Sequence, residues 1–177
     1  MFIDLVRVRR SIRKFQARPV EKEKIELLVE TALRAPSSRG FNPWEFVVVA
    51  DPETLTRLSK AKPHGAAFLK DAPLGIVICA DPTKSDVWVE DTSIVSIMLH
   101  LVATDLGLGS CWIQIRKRDY DRHQTASDYI ARVLDLRPGL EVATIMAIGY
   151  SAQTLEPHPR ASLQDEKVSY ERYGRSV

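Results

Sequence analysis

The sequence predicts helices packed on a sheet, in an α+β or α/β arrangement. Three observations carry this expectation. Helix-like and strand-like patterns alternate along the chain. Residues 74–80 (LGIVICA) are apolar without a break, as in a strand covered on both faces. Residues 87–106 are apolar around most of a helical girth, as in a helix buried on more than one side.

Taken in order, residues 2–8 suit a short helix, and residues 9–15 (RRSIRKF) form a basic cluster with turn character. A helix opens at 19–23, with acidic residues in its first turn where they complement the dipole. Ile25, Leu28, Val29, Ala32 and Leu33 recur at helical spacing until Pro36 stops the run. A strand is expected at 45–50. Asp51-Pro52-Glu53 then caps a helix reaching about residue 60. A helical turn at 66–71 precedes the apolar strand, and the long helix ends at Gly107 and Gly109. A strand at 110–115, a helix at 127–134 and a strand at 141–150 follow. The tail from Ser151 is polar, with a short helix expected near 163–173.

A chain of 177 residues suits one domain spanning 1–177 and can bury a real core. Its formal net charge of +2 supplies no global basic field for nucleic acid. Cys79 and Cys111 sit in apolar runs, which reads as buried thiols in a reducing compartment. No apolar run reaches the ~20 residues of a membrane span, and the N-terminus lacks a basic-then-apolar signal pattern. A cytoplasmic protein is expected. The long apolar helix carries more apolar surface than a small monomer hides, so a homodimer is expected to bury it.

Several common motifs are missing. Gly107-Leu108-Gly109 begins like a dinucleotide fingerprint, but Trp112 occupies the third glycine position and a helix precedes it. There is no P-loop and no nucleophile elbow. His64, His100, His123 and His158 have no partners at metal-ligand spacing.

Four polar islands remain. Arg7, Arg9, Arg10, Arg13, Lys14 and Arg18 lie together with no acid between Asp4 and Glu21. They read either as a solvated basic segment or as an anion site, in which guanidinium forks meet phosphate oxygens and Ser11 adds a hydroxyl. Residues 34–51 (RAPSSRGFNPWEFVVVAD) place Pro36, Ser37, Ser38 and Gly40 between a helix and a strand. That is an ordinary loop composition, or a backbone arranged to hold something. Trp112, Ile113, Gln114 and Ile115 are by default strand core, followed by Arg116-Lys117-Arg118. His158-Pro159-Arg160 alone is a surface turn.

Together, "RRSIRKF", "APSSRGFNPWEFVVV", "LGLGSCWI", "AIGY" and "PHPR", in this order and spacing, resemble the FMN-dependent nitroreductase family over essentially the whole chain. The resemblance implies a three-layer α/β/α fold. Its central sheet is mostly antiparallel and flanked by helices, and the long central helix lies at the dimer interface. It implies FMN as cofactor, NAD(P)H as transient electron donor, and a homodimer with FMN between the subunits. Partners are small molecules, with no nucleic acid and no membrane.

It also assigns residues. Arg9, Arg10 and Ser11 match the segment holding the FMN phosphate and ribityl chain. Arg13 matches a basic residue at the pyrimidine edge of the isoalloxazine, where a cation stabilises reduced flavin. Pro36, Ser37, Ser38 and Gly40 match a loop reaching the flavin of the partner subunit. Trp112, Ile113, Gln114 and Ile115 match the strand end beside the ring, where a backbone N–H approaches N5. Arg160 matches a phosphate-binding arginine, with His158 where lysine is frequent.

The sequence departs from the family pattern at four positions. Gly40 stands where Asn is common, Asn42 where Gln is common, and Ile115 where Gly is common; the fourth is His158. The extra helical segment of larger members is missing, so residues 61–67 and 116–126 are expected to shape the substrate side, His64 among them. The implied reaction is ping-pong hydride transfer from NAD(P)H through flavin N5 to a nitroaromatic, quinone or related oxidant, with no catalytic side chain. Two other readings remain beside it: a flavin-binding sensor or carrier without turnover, and other flavin chemistry on the same fold, such as reductive dehalogenation.

Overall fold

The computed structural model describes residues 1–175. Five helices and four strands follow in the order α1 (Phe2–Val8), α2 (Lys22–Leu33), β1 (Trp44–Val49), α3 (Pro52–Leu58), β2 (Leu74–Ala80), α4 (Trp88–Asp105), β3 (Gly109–Gln114), α5 (Ala126–Val133) and β4 (Glu141–Gly149). The four strands form one sheet in the order β1-β2-β4-β3, antiparallel at every pairing. The expected antiparallel α+β sheet is therefore what the chain forms.

Alternation along the strands divides the core into two layers. Val77, Cys79, Ile113, Ile145 and Ala147 face one side, where Leu55, Leu58 and Ile130 of α3 and α5 cover them. Ile76, Ile78, Met146 and Ile148 face the other, against Leu28 and Ala32 of α2 and Val95, Leu99 and Ala103 of α4. β2 is buried along its whole length, which accounts for its unbroken apolar run. β1 and β3 are the sheet edges.

Local chemistry fixes the helix starts. Asp51 accepts from the Thr54 backbone N–H at 2.8 Å, with Pro52 at the first helical position. Thr125 and Asp128 form a reciprocal capping box at α5. The helix expected near 163–173 is not formed. The chain makes two single 3-10 turns, Arg160–Ser162 and Asp165–Lys167, because this polar segment has no apolar stripe to dock and is exposed almost throughout. Among the described residues, no helix is long and apolar enough to cross a membrane.

Candidate functional site

The basic N-terminal segment is stitched across one end of the sheet. Ile12 N–H donates to the Ser110 carbonyl at 2.9 Å, Gln16 N–H to the Tyr150 carbonyl at 2.8 Å, and Ala152 N–H to the Lys14 carbonyl at 2.9 Å. A Cβ on Gly109 would stand 2.8 Å from the Ile12 side chain, so this crossing requires glycine at 109.

The crossing sends two neighbouring arginines in opposite directions. Arg9 faces a cavity of about 570 Å³ shared with Arg7, His158 and Arg160 over an apolar floor that includes Ile3 and Val6. Arg10 turns to the tail, where its guanidinium donates to the Glu156 carbonyl. Arg10 therefore anchors the segment that carries His158 and Arg160. Arg160 is exposed and paired with Asp165 at 2.8 Å.

Behind Arg9 lies His100 of α4, only 5% exposed. Arg9 Nη1 sits 2.9 Å from His100 Nε2, and His100 Nδ1 contacts the Ser110 hydroxyl. Burial, with the adjacent Arg9 charge, pushes the imidazole down to about 4, so it is neutral at neutral pH.

Arg13 is exposed, and its guanidinium stands 5.9 Å from the centre of the Phe68 ring. Cys111 on β3 is fully buried, and burial pushes its thiol up against the opposing charges of Arg13, Lys62 and Arg9. Lys62 in turn is pushed down by burial and by Arg118. Arg13, Lys62 and Arg9 thus all lie close enough to Cys111 for their charges to act on it. Sequence reasoning placed Lys62 in a pocket-lining segment but singled out His64, which is exposed. His100 escaped it altogether, since its partner Arg9 lies 91 residues away.

Ile113 of β3 and Ile115 just past its end are core residues, fully buried against the α3 and α5 layer. The Ile115 N–H donates to the Ala143 carbonyl at 3.1 Å, so it is committed within the fold rather than offered to a ligand. The Ser110 carbonyl points away from β4, toward Ile12. Antiparallel alternation then turns the N–H groups of Trp112 and Gln114 to the same outer edge. Their side chains are tied together, the Trp112 indole donating to Gln114 Oε1 at 3.0 Å.

The loop at 36–42 is built separately. Arg39, Gly40 and Asn42 all take positive φ, at 53°, 69° and 46°. Ser37 holds the turn, donating to Asn42 Oδ1 at 2.8 Å and accepting from Asn42 N–H at 2.9 Å. Asp91, buried at the start of α4, accepts from Ser38 N–H at 2.8 Å and from the Ser85 hydroxyl at 3.0 Å. Asp91 and His100 are nine residues apart on one helix, roughly 13 Å along its axis. Within one chain the structure therefore gathers Arg9, His158 and Arg160, and keeps Pro36–Gly40 near the other end of α4. Among the described residues no cluster of His, Cys, Asp or Glu side chains suits a metal ion.

Comparison with known proteins identifies the family. The nitroreductase family model matches residues 6–67 and 59–150. An FMN-dependent nitroreductase from Clostridium difficile R20291 superposes with a TM-score of 0.95 at 45% identity, over 97% of this chain and 99% of that one. A protein of Methanothermobacter thermautotrophicus, provisionally named NADH dehydrogenase/NAD(P)H nitroreductase, is 31% identical over 97% of this chain and 87% of its own. An iodotyrosine deiodinase of Haliscomenobacter hydrossis is 30% identical over 88% of this chain and 67% of its own. A match across this much of the chain, on the antiparallel three-layer fold described above, settles the family: the chain belongs to the nitroreductase family.

Proposed function

We propose that this chain is an FMN-dependent NAD(P)H oxidoreductase that works as a homodimer, with each flavin held between the two subunits. The observation that carries the reading is the cavity where Arg7, Arg9, His158 and Arg160 converge, which Arg9 links to the start of β3 through His100 and Ser110. Its donors suit a phosphate monoester, since guanidinium forks match the oxygens; Arg9 meets only the neutral His100, whereas Arg7 and Arg160 would exchange their carboxylate partners Asp4 and Asp165 for the ligand. Arg9, His158 and Arg160 would hold the phosphate, with Ser11 on the ribityl side. Arg10 fixes the tail that brings His158 and Arg160 into place.

The ring would lie along the outer edge of β3. The N–H groups of Trp112 and Gln114 face it there, and Arg13, with Lys62 near it, gives the pyrimidine end a positive field. Pro36, Ser37, Ser38 and Gly40 would come from the partner, already shaped by Ser37, Asn42 and Asp91. Bound FMN supplies the two-electron link between nicotinamide oxidation and reduction of a nitroaromatic, quinone or related acceptor. The protein orients the reactants and keeps one face open to donor and acceptor in turn, which gives ping-pong kinetics. Two free buried thiols support a reducing, cytoplasmic setting.

The test is a visible spectrum of the purified protein, followed by NADH and NADPH without oxygen. A bound yellow flavin that bleaches with either donor is expected. Flavin that never bleaches would make the protein a carrier, and failure to retain FMN would sink the site assignment. The deiodinase relative favours a second reading, reductive dehalogenation, checked by offering a halotyrosine to the reduced protein.

A further inference from the structure

His100 has no part in the residues assigned to flavin above, yet its contacts fix its chemical state. A guanidinium has donors only, so His100 Nε2, 2.9 Å from Arg9 Nη1, must be an unprotonated acceptor. The ring proton then sits on Nδ1 and donates to the Ser110 hydroxyl. Ser110 is itself buried, on the strand that Ile12 is stitched to. One helix and one strand thus lock a single tautomer, which aims its lone pair at an arginine in the cationic cavity.

We propose that His100 is a positioning residue for phosphate recognition: its neutral ring, locked by Ser110, holds the Arg9 guanidinium in the orientation that meets the phosphate of the bound flavin. This deepens the flavin reading and rests on it. An arginine side chain loses much rotamer freedom on binding, and an acceptor behind it removes part of that cost before the ligand arrives. The arrangement resembles that around a metal-bound histidine, where an outer hydrogen bond fixes the group that does the binding.

The surroundings leave His100 few other roles. Arg9 is the charged group in contact with the ring, reaching it from the segment after α1. Asp105 on α4 itself is exposed, and Lys24 of α2 is engaged with the Leu106 carbonyl, just past the C-terminus of the helix, and with the Tyr150 hydroxyl. Cys111 follows Ser110 on β3 and, by alternation, points to the layer of Ile113, away from His100.

The experiment compares two probes, FMN and riboflavin, which share a ring and differ in the phosphate. Both are titrated into flavin-stripped full-length dimer and followed by flavin fluorescence. His100→Leu should weaken FMN about tenfold, as expected for loss of a hydrogen bond to a charged group, and leave riboflavin unchanged. His100→Gln, which keeps an acceptor on that side, should recover most of the FMN affinity. Ser110→Ala keeps the ring and removes its lock, so it should show a smaller loss, again confined to FMN. It carries the test if His100→Leu does not fold. Equal losses for FMN and riboflavin in these variants would mean a structural role only and overturn the proposal. Unchanged FMN affinity in folded His100→Leu, or in Ser110→Ala if that alone folds, would overturn it too. Wild-type protein that binds neither probe would overturn the flavin reading and the proposal with it.

Discussion

At Gly40 the backbone turns through φ +69°, and nothing lies within 4 Å of where a Cβ would stand. Space does not demand glycine there; the dihedral does. Asn is the side chain that tolerates the left-handed region best after Gly. That explains why the family's frequent Asn and this chain's Gly can exchange: both serve the same turn. Gly40→Asn should leave the urea midpoint nearly unchanged, whereas Gly40→Ala should cost about 1 kcal/mol or more. Equal stability of the two variants would show that the loop relaxes freely, and its preset shape would then not matter for function. At Ile115 the outcome differs. Its N–H is committed to Ala143, so the N–H groups turned to the open edge of β3 belong to Trp112 and Gln114.

Among the elements, α4 supports the proposed site from its two ends, with Asp91 under the Ser38 loop and His100 behind Arg9. Asp91→Ala strips the Ser38 N–H and the Ser85 hydroxyl of their acceptor in a buried place. It should cost about 2 kcal/mol in chemical unfolding and loosen the loop, visible as faster amide exchange at Ser38. A second junction ties α2 to the end of β4. The Tyr150 hydroxyl donates to Glu21 at 2.6 Å, as does Arg18. Tyr150 chiefly, then backbone and Arg18, hold the Glu21 carboxyl at about 2, well below its ordinary 4.5. The folded protein thus resists a proton that the unfolded chain accepts. Its stabilisation is complete above about pH 4.5 and is lost as the pH falls through about 2. Tyr150→Phe should flatten that part of the acid limb in urea melts at pH 5, 4 and 3; an unchanged limb would show that Glu21 is screened by solvent.

These elements also show what sequence could reveal. β2, α4 and the Asp51 cap were legible because the signal is local: an unbroken apolar run, a girdle of apolar residues, a cap followed by Pro. The basic segment and the Ser37-Ser38 loop were legible as motifs. Asp91 and His100 were not, since their partners lie 53 and 91 residues away and nothing local marks an inward-facing Asp or His. The tail was misread as helical because its charged residues have acceptable propensity, and propensity alone does not hold a short helix without a face to bury.

For the whole molecule the question is what would complete the proposed site, whose two halves sit at opposite ends of α4. A single chain leaves Phe2, Ile3, Val6 and Val8 of α1 and Ile94 and Ile97 of α4 exposed, a broad apolar surface on neighbouring helices. A two-fold pairing along α4 would cover it and carry the Pro36–Gly40 loop of one subunit to the Arg9 cavity of the other. Assembly and flavin binding should then be linked: whatever weakens one weakens the other. Ile97 is 44% exposed in the single chain, so charge there is harmless to the isolated fold and costly only in a dry interface. Ile97→Arg should therefore sediment as a monomer with unchanged circular dichroism and bind FMN at least about tenfold more weakly, as expected when a shared site loses one contributor. Excess FMN should draw the variant partly back to the dimer. A monomeric Ile97→Arg that held FMN at wild-type affinity would show instead that one chain makes the whole site, and the loop at 36–42 would lose its role across the interface.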